Sequence, residues 1–182
     1  DYLKFMLFNS LSFILFLPTV FLVYWILSKR LKWQNLWVLF VSYVFYGWWD
    51  WRFLSLIFAS TLVDYFIGLK ISNTYEANRK RNLLIISLVF NLGLLGVFKY
   101  FNFFIDSFYY LFDFSHSSSF NTFDIILPVG ISFYTFQTLS YTIDIYKGKL
   151  NPTAEFINFA GYVSFFPQLV AGPIERAVHL LP

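Results

Sequence analysis

An all-α, polytopic membrane architecture of about five to six transmembrane or re-entrant helices is the fold this chain predicts, and three observations carry that expectation. The sequence is 58% hydrophobic and only 13% charged over 182 residues, with a mean hydropathy of +0.61. A soluble domain of that size has too little interior to hide so much apolar surface. Apolar stretches of roughly 20 residues, the length that crosses a bilayer, recur along the chain. Lysines and arginines gather in alternate short connections, the pattern that orients membrane helices. The 26 Phe, 13 Tyr and 6 Trp suit lipid-facing and interfacial positions. Cysteine is absent, which excludes disulfides, thiolate metal sites and a cysteine nucleophile in this sequence. The basic residues form no face of useful size, so no nucleic-acid partner is expected.

The first span covers about residues 8–28. It has no cleavage-site pattern and runs into Lys29-Arg30-Leu31-Lys32, so a retained helix is expected rather than a signal peptide. Pro18 predicts a kink, which membrane helices tolerate. The second span, 34–49, leads into Tyr46-Gly-Trp-Trp-Asp-Trp51, an aromatic cluster of interfacial type. The third, 53–69, holds Asp64. The fourth, 83–104, contains Asn91, Gly93 and Gly96, which permit close helix contact. Residues 99–112, with Lys99 and Asp106, continue as an aromatic-rich interfacial run, and Ser115 to Thr122 is a polar loop. The fifth span is 127–146. A sixth segment near 156–174 is interrupted by Pro167 and Gly172-Pro173, which fits a re-entrant half-helix as well as a kinked span.

Positive charge assigns the orientation. Lys29, Arg30 and Lys32 mark the first connection as cytoplasmic; Lys70, Arg79, Lys80 and Arg81 mark the third, and Lys147 with Lys149 the fifth. The alternate connections carry Asp50 with Arg52, and later Asp113 and Asp124. A multi-pass protein of the bacterial cytoplasmic (inner) membrane follows, with its N-terminus outside.

The fifth span carries the chemistry. Tyr134, Gln137, Tyr141 and Asp144 are three or four residues apart and share one helix face, with Ser140 at its edge. Such a stripe must face other helices or a wet cavity. Gln137, Ser140 and Thr142 fit interhelical glue as well as a functional lining. Asp144 fits either an interfacial carboxylate beside Lys147 or the last group of the stripe. Asp64, an acid within an apolar span, is a functional candidate by position, but a structural pair with Lys70 or Arg79 is the favoured reading. His116 and His179 have no partner at recognisable spacing. No metal-ligand cluster and no Gly-rich phosphate loop is present.

Several stretches resemble bacterial membrane-bound O-acyltransferases, in their alginate O-acetyltransferase branch. These are Met6-Leu-Phe-Asn-Ser-Leu-Ser-Phe13, Tyr43-Val-Phe-Tyr-Gly-Trp-Trp49, Phe98-Lys-Tyr-Phe-Asn-Phe103, Pro128-Val-Gly-Ile-Ser-Phe-Tyr-Thr-Phe-Gln137, Tyr141-Thr-Ile-Asp-Ile-Tyr-Lys-Gly148 and Phe166-Pro-Gln-Leu-Val-Ala-Gly-Pro-Ile-Glu-Arg176. They run in the family's order along nearly the whole chain. The teichoic acid D-alanine transferase is a more distant resemblance. The resemblance implies an enzyme that moves an acyl group, often acetyl, from a thioester donor (acyl-CoA or an acyl carrier) to a hydroxyl of an extracytoplasmic polysaccharide. A periplasmic or cell-surface acyl-relay protein is an implied partner, besides the lipid bilayer. The family's key histidine lies beyond the Gly-Pro-Ile-x-Arg motif, which places it past Pro182 in this numbering, and neither histidine here occupies its position. No catalytic residue is therefore expected within 1–182. Residues 6–182 are expected to be the N-terminal part of one transmembrane domain, with residues 1–5 extra. As a fragment, the chain is expected to be inactive. Tyr134, Gln137, Tyr141, Asp144 and Arg176 are the expected tunnel-wall or orienting groups. A transporter component and a non-catalytic membrane scaffold are the competing readings.

Overall fold

The computed structural model describes residues 10–111, 128, 130–172 and 176–180. All regular structure among them is helical: α1 (Leu11–Ile26), α2 (Leu31–Ser72), α3 (Ala77–Leu111), α4 (Ile131–Tyr146), α5 (Phe156–Ser164), α6 (Phe166–Ala171) and α7 (Ala177–Leu180). Outside the described residues lie residues 1–5, the polar loop with His116, and Asp113, Asp124, Pro173, Glu175 and Pro182, together with the side chains of Asp106 and His179. The catalytic histidine expected past Pro182 falls outside them as well.

Ser10 caps α1 by accepting the Phe13 amide at 3.2 Å, and the helix continues through Pro18. Leu11, Ile14, Leu15, Phe21 and Leu22 are exposed, an apolar surface suited to lipid. Its inner side, Phe13, Phe16 and Val20, packs on Trp37, Val41 and Phe45 of α2. The Trp37 indole N–H donates to the Val20 carbonyl at 3.1 Å.

Asp50 divides α2 into two limbs, because its backbone is extended there (φ −160°, ψ 115°). The first limb meets α5 where the Asn35 amide donates to Asn158 Oδ1 at 2.9 Å. The second meets the same end of α5 where the Tyr65 hydroxyl donates to the Ala154 carbonyl at 2.6 Å. The start of one limb and the end of the other therefore lie side by side, and the chain reverses at Asp50. Arg52 holds the Asp50 carboxylate with its guanidinium at 2.6 Å and its amide at 2.9 Å. The expected second and third spans are thus antiparallel limbs joined almost without a loop.

The expected fourth span and the interfacial run after it are one helix, α3, roughly 50 Å long at about 1.5 Å per residue. The close contact expected at Gly93 and Gly96 is not made by described residues: a Cβ at either would meet nothing within 4 Å. They line an open apolar groove with Val97, Phe101 and Phe104. The expected fifth span starts later, at Ile131, because Gly130 takes a left-handed conformation (φ +76°). Asp50–Ser72 and Ala77–Phe101 are long and apolar enough to cross a bilayer, and Leu11–Ile26 is a shorter apolar helix. Together with the lipid-suited surface they mark a membrane protein.

The break in the sixth segment falls at Phe165 (φ −55°, ψ 102°). Pro167 sits in the first turn of α6, where its missing N–H costs no helical hydrogen bond. Phe166 packs against Phe45, with ring centroids 5.1 Å apart. The aromatic cluster divides in the structure. Trp48 and Trp51 are exposed, as a belt requires, whereas Tyr46 is buried in the core.

These contacts sort the charges. Lys32 lies 3.9 Å from Glu155, and the Thr153 amide donates to the Tyr141 hydroxyl at 3.2 Å, close to where Tyr65 meets Ala154. The basic connections around residues 29–32, 70–81 and 147–149 therefore share one end of the bundle, and Asp50 with Arg52 lies at the other.

Candidate functional site: the two polar faces of α4

α4 packs against both the second limb of α2 and α3, and it presents a different polar face to each side. Thr138 and Thr142 point into a network built on Asp64, which is fully buried. Asp64 accepts from the Ser87 hydroxyl, from Asn91 Nδ2 at 2.7 Å and from the Thr142 hydroxyl at 3.1 Å. Asn91 Oδ1 accepts in turn from Ser60 at 2.6 Å and Thr138 at 3.4 Å. Each acceptor finds donors on two other helices, so the network ties α2, α3 and α4 together.

This corrects the pairing expected from the sequence. Lys70 is exposed, and Arg79 is held by Glu76 at 2.8 Å. Asp64 points inward to α3 and α4, away from both cations, and hydroxyls and an amide take their place.

The second face carries the expected stripe. Tyr134, Gln137, Tyr141 and Asp144 are 2%, 1%, 0% and 5% exposed. The Tyr134 hydroxyl, Gln137 Oε1 and Asp144 Oδ2 have no hydrogen-bond partner among the described residues. Asp144 is therefore buried rather than interfacial, and Lys147 stays exposed. Tyr141 differs from its neighbours. Its hydroxyl is satisfied by Thr153, and its ring lies on Phe159 with centroids 4.2 Å apart. It also fills the space left by Gly68, where a Cβ would come within 2.8 Å of the ring. Ser140, half-buried, donates back to the Gln137 carbonyl at 2.8 Å. Arg176 is exposed just before α7, a helix that packs on α4. No hydrogen bond or ion pair among the described residues joins it to the row.

Two members of this region escape a reading of the sequence. The Tyr46 hydroxyl is buried without a partner among the described residues, as is Thr135 Oγ1. Tyr46 reaches the start of α4, where a Cβ on Gly130 would stand 2.7 Å from its oxygen. Nothing in the aromatic cluster separates Tyr46 from its exposed neighbours except its helical phase.

Buried polar groups are normally paired, and each exception calls for a reason. Here four of the five exceptions among the described residues are on α4: Tyr134, Gln137 and Asp144 lie on one face and Thr135 on the other, while Tyr46 stands at the helix start. The arrangement can accept hydrogen bonds along its length and can also donate them at the two phenols.

Known proteins are similar to this chain in sequence. It is 42% identical over 173 residues to a probable alginate O-acetylase, AlgI, of Pseudomonas aeruginosa, covering 94% of this chain and 33% of that protein. It is 37% identical to a peptidoglycan O-acetyltransferase of Helicobacter pylori, covering 97% of this chain and 38% of the relative. A probable alginate O-acetylase of Azotobacter vinelandii is 41% identical over 94% of this chain and 34% of its own length. No family model matches the chain. No solved structure matches it. The chain spans about a third of the length of the curated relatives it matches. With that identity sustained along 94–97% of its length, the chain is a homologue of part of the alginate O-acetylases and of part of the peptidoglycan O-acetyltransferase.

Proposed function

We propose that this chain is the N-terminal part of an enzyme that transfers an acetyl group from a thioester donor to hydroxyls of an extracytoplasmic polysaccharide. One observation carries the reading: relatives named for two different polymers, alginate and peptidoglycan, match nearly the whole chain at 37–42% identity. The shared element is then O-acetylation of a saccharide hydroxyl. The donor is acyl-CoA or an acyl carrier, and a periplasmic or cell-surface relay protein is the further partner.

In this reading the acceptor oxygen attacks the thioester carbonyl, its proton passes to a base, and the thiolate leaves. The described residues supply walls and orienting groups, and the base is a histidine past Pro182. Tyr134, Gln137 and Asp144 hold polar atoms free for a ligand, Tyr141 fixes α4 against α5, and Arg176 stands at the edge. The basic end of the bundle faces the cytoplasm and the Asp50 end faces outward, which puts the N-terminus outside. Purified full-length protein should move acetyl from acetyl-CoA or an acetylated carrier to an oligosaccharide, and residues 1–182 alone should not. Failure of the full-length protein to acetylate any polysaccharide would refute the proposal, and transfer by 1–182 would refute the division of labour.

A further inference from the structure

We propose that Tyr46, Tyr134 and the start of α4 form the subsite that receives hydroxyl groups of the saccharide acceptor; this rests on the O-acetyltransferase reading. Four observations converge on the place. The Tyr46 and Tyr134 hydroxyls are both buried and both lack partners among the described residues. Both belong to the start of α4: the Tyr46 oxygen lies 2.7 Å from where a Cβ on Gly130 would stand, and Tyr134 is in the first turn after that residue. No side chain of the described residues caps this helix start; the Ile131 amide is taken by the Pro128 carbonyl at 3.3 Å, and the next amides of the first turn have no acceptor within the helix. The place lies at the end of the bundle opposite the basic connections, the side from which an extracytoplasmic polymer arrives.

The chemistry favours a sugar hydroxyl. A phenol both donates and accepts a hydrogen bond, and so does an alcohol, so each tyrosine can serve an acceptor hydroxyl in either sense. Among the described residues, Lys99 is a charged group near this turn, exposed at the rim with its ammonium 3.4 Å from the Ser132 hydroxyl.

The test uses full-length protein in detergent, with Tyr46→Phe and Tyr134→Phe each assayed while acceptor oligosaccharide and acetyl donor are varied separately. Each variant should raise the acceptor KM by about tenfold, as expected for one lost hydrogen bond, and leave the donor KM unchanged. The melting temperature should hold or rise, because a hydroxyl that bonds nothing in the protein leaves nothing unpaired when removed. A fall in melting temperature would make the hydroxyls structural and overturn the inference. So would an unchanged acceptor KM, or a raised donor KM. Quenching of tryptophan fluorescence by the oligosaccharide, present in the parent and lost in both variants, tests the subsite independently of turnover. If the parent transfers no acetyl group, the enzymatic reading fails, while the titration still decides whether the tyrosines bind saccharide.

Discussion

The Thr138–Thr142 face of α4 and the Tyr134–Gln137–Asp144 face are buried to a similar depth, yet they are treated oppositely. On the first, the Thr138 and Thr142 hydroxyls bond side chains on α3 and α2, and Thr135 Oγ1, one turn earlier, is the exception. On the second, polar atoms are buried and left open. A bundle held together only by polar glue would satisfy both faces alike. The difference teaches that the first face holds α4 in place and the second is held ready, with the rotation of α4 set by the Asp64 network.

That comparison can be broken most directly at Asp64. Asp64→Ala strands the Ser87 hydroxyl and takes one acceptor each from Asn91 and Thr142, which keep the Ser87 and Thr138 carbonyls. It should cost about 3 kcal/mol, read as a large fall in the melting temperature of the full-length protein in detergent. Little change would show that the network is ornamental. Gly68→Ala drives a methyl against Tyr141 and Ile145 at 2.8 and 3.0 Å and should cost about 1–3 kcal/mol by overpacking, measured the same way. Tyr141→Phe removes the acceptor of the Thr153 amide and should cost about 1 kcal/mol. Tyr134→Phe, on the same face, should cost nothing, so equal losses at the two tyrosines would erase the distinction between them. The smallest effect on stability is expected for Asp144→Asn, within about 0.5 kcal/mol. Acetyl transfer should nevertheless fall by about tenfold or more, and unchanged turnover would remove Asp144 from the open row.

Periodicity alone makes the open face legible: four polar residues at helical spacing on an apolar span have one geometric reading. Charge alternation likewise announces which connections share an end. The partners of Asp64 are not legible, because Ser87, Asn91, Thr138 and Thr142 come from two other helices and are, as types, indistinguishable from ordinary small polar residues. Spacing groups Asn91 with Gly93 and Gly96 as contact residues, yet Asn91 is in the network and the two glycines face an open groove. Tyr46 is hidden for a related reason. Composition sees an aromatic cluster, while burial depends on which side of the helix each ring projects from.

The shortness of the central helices has a consequence for transport distance. α4 rises roughly 24 Å at about 1.5 Å per residue, and α5 gives way to α6 after nine residues. The hydrocarbon of a bilayer is about 30 Å thick. α4 by itself is therefore shorter than the hydrocarbon layer. In the acetyl transfer proposed above, a donor and an acceptor that meet alongside α4 from opposite sides would have less than a full bilayer to bridge.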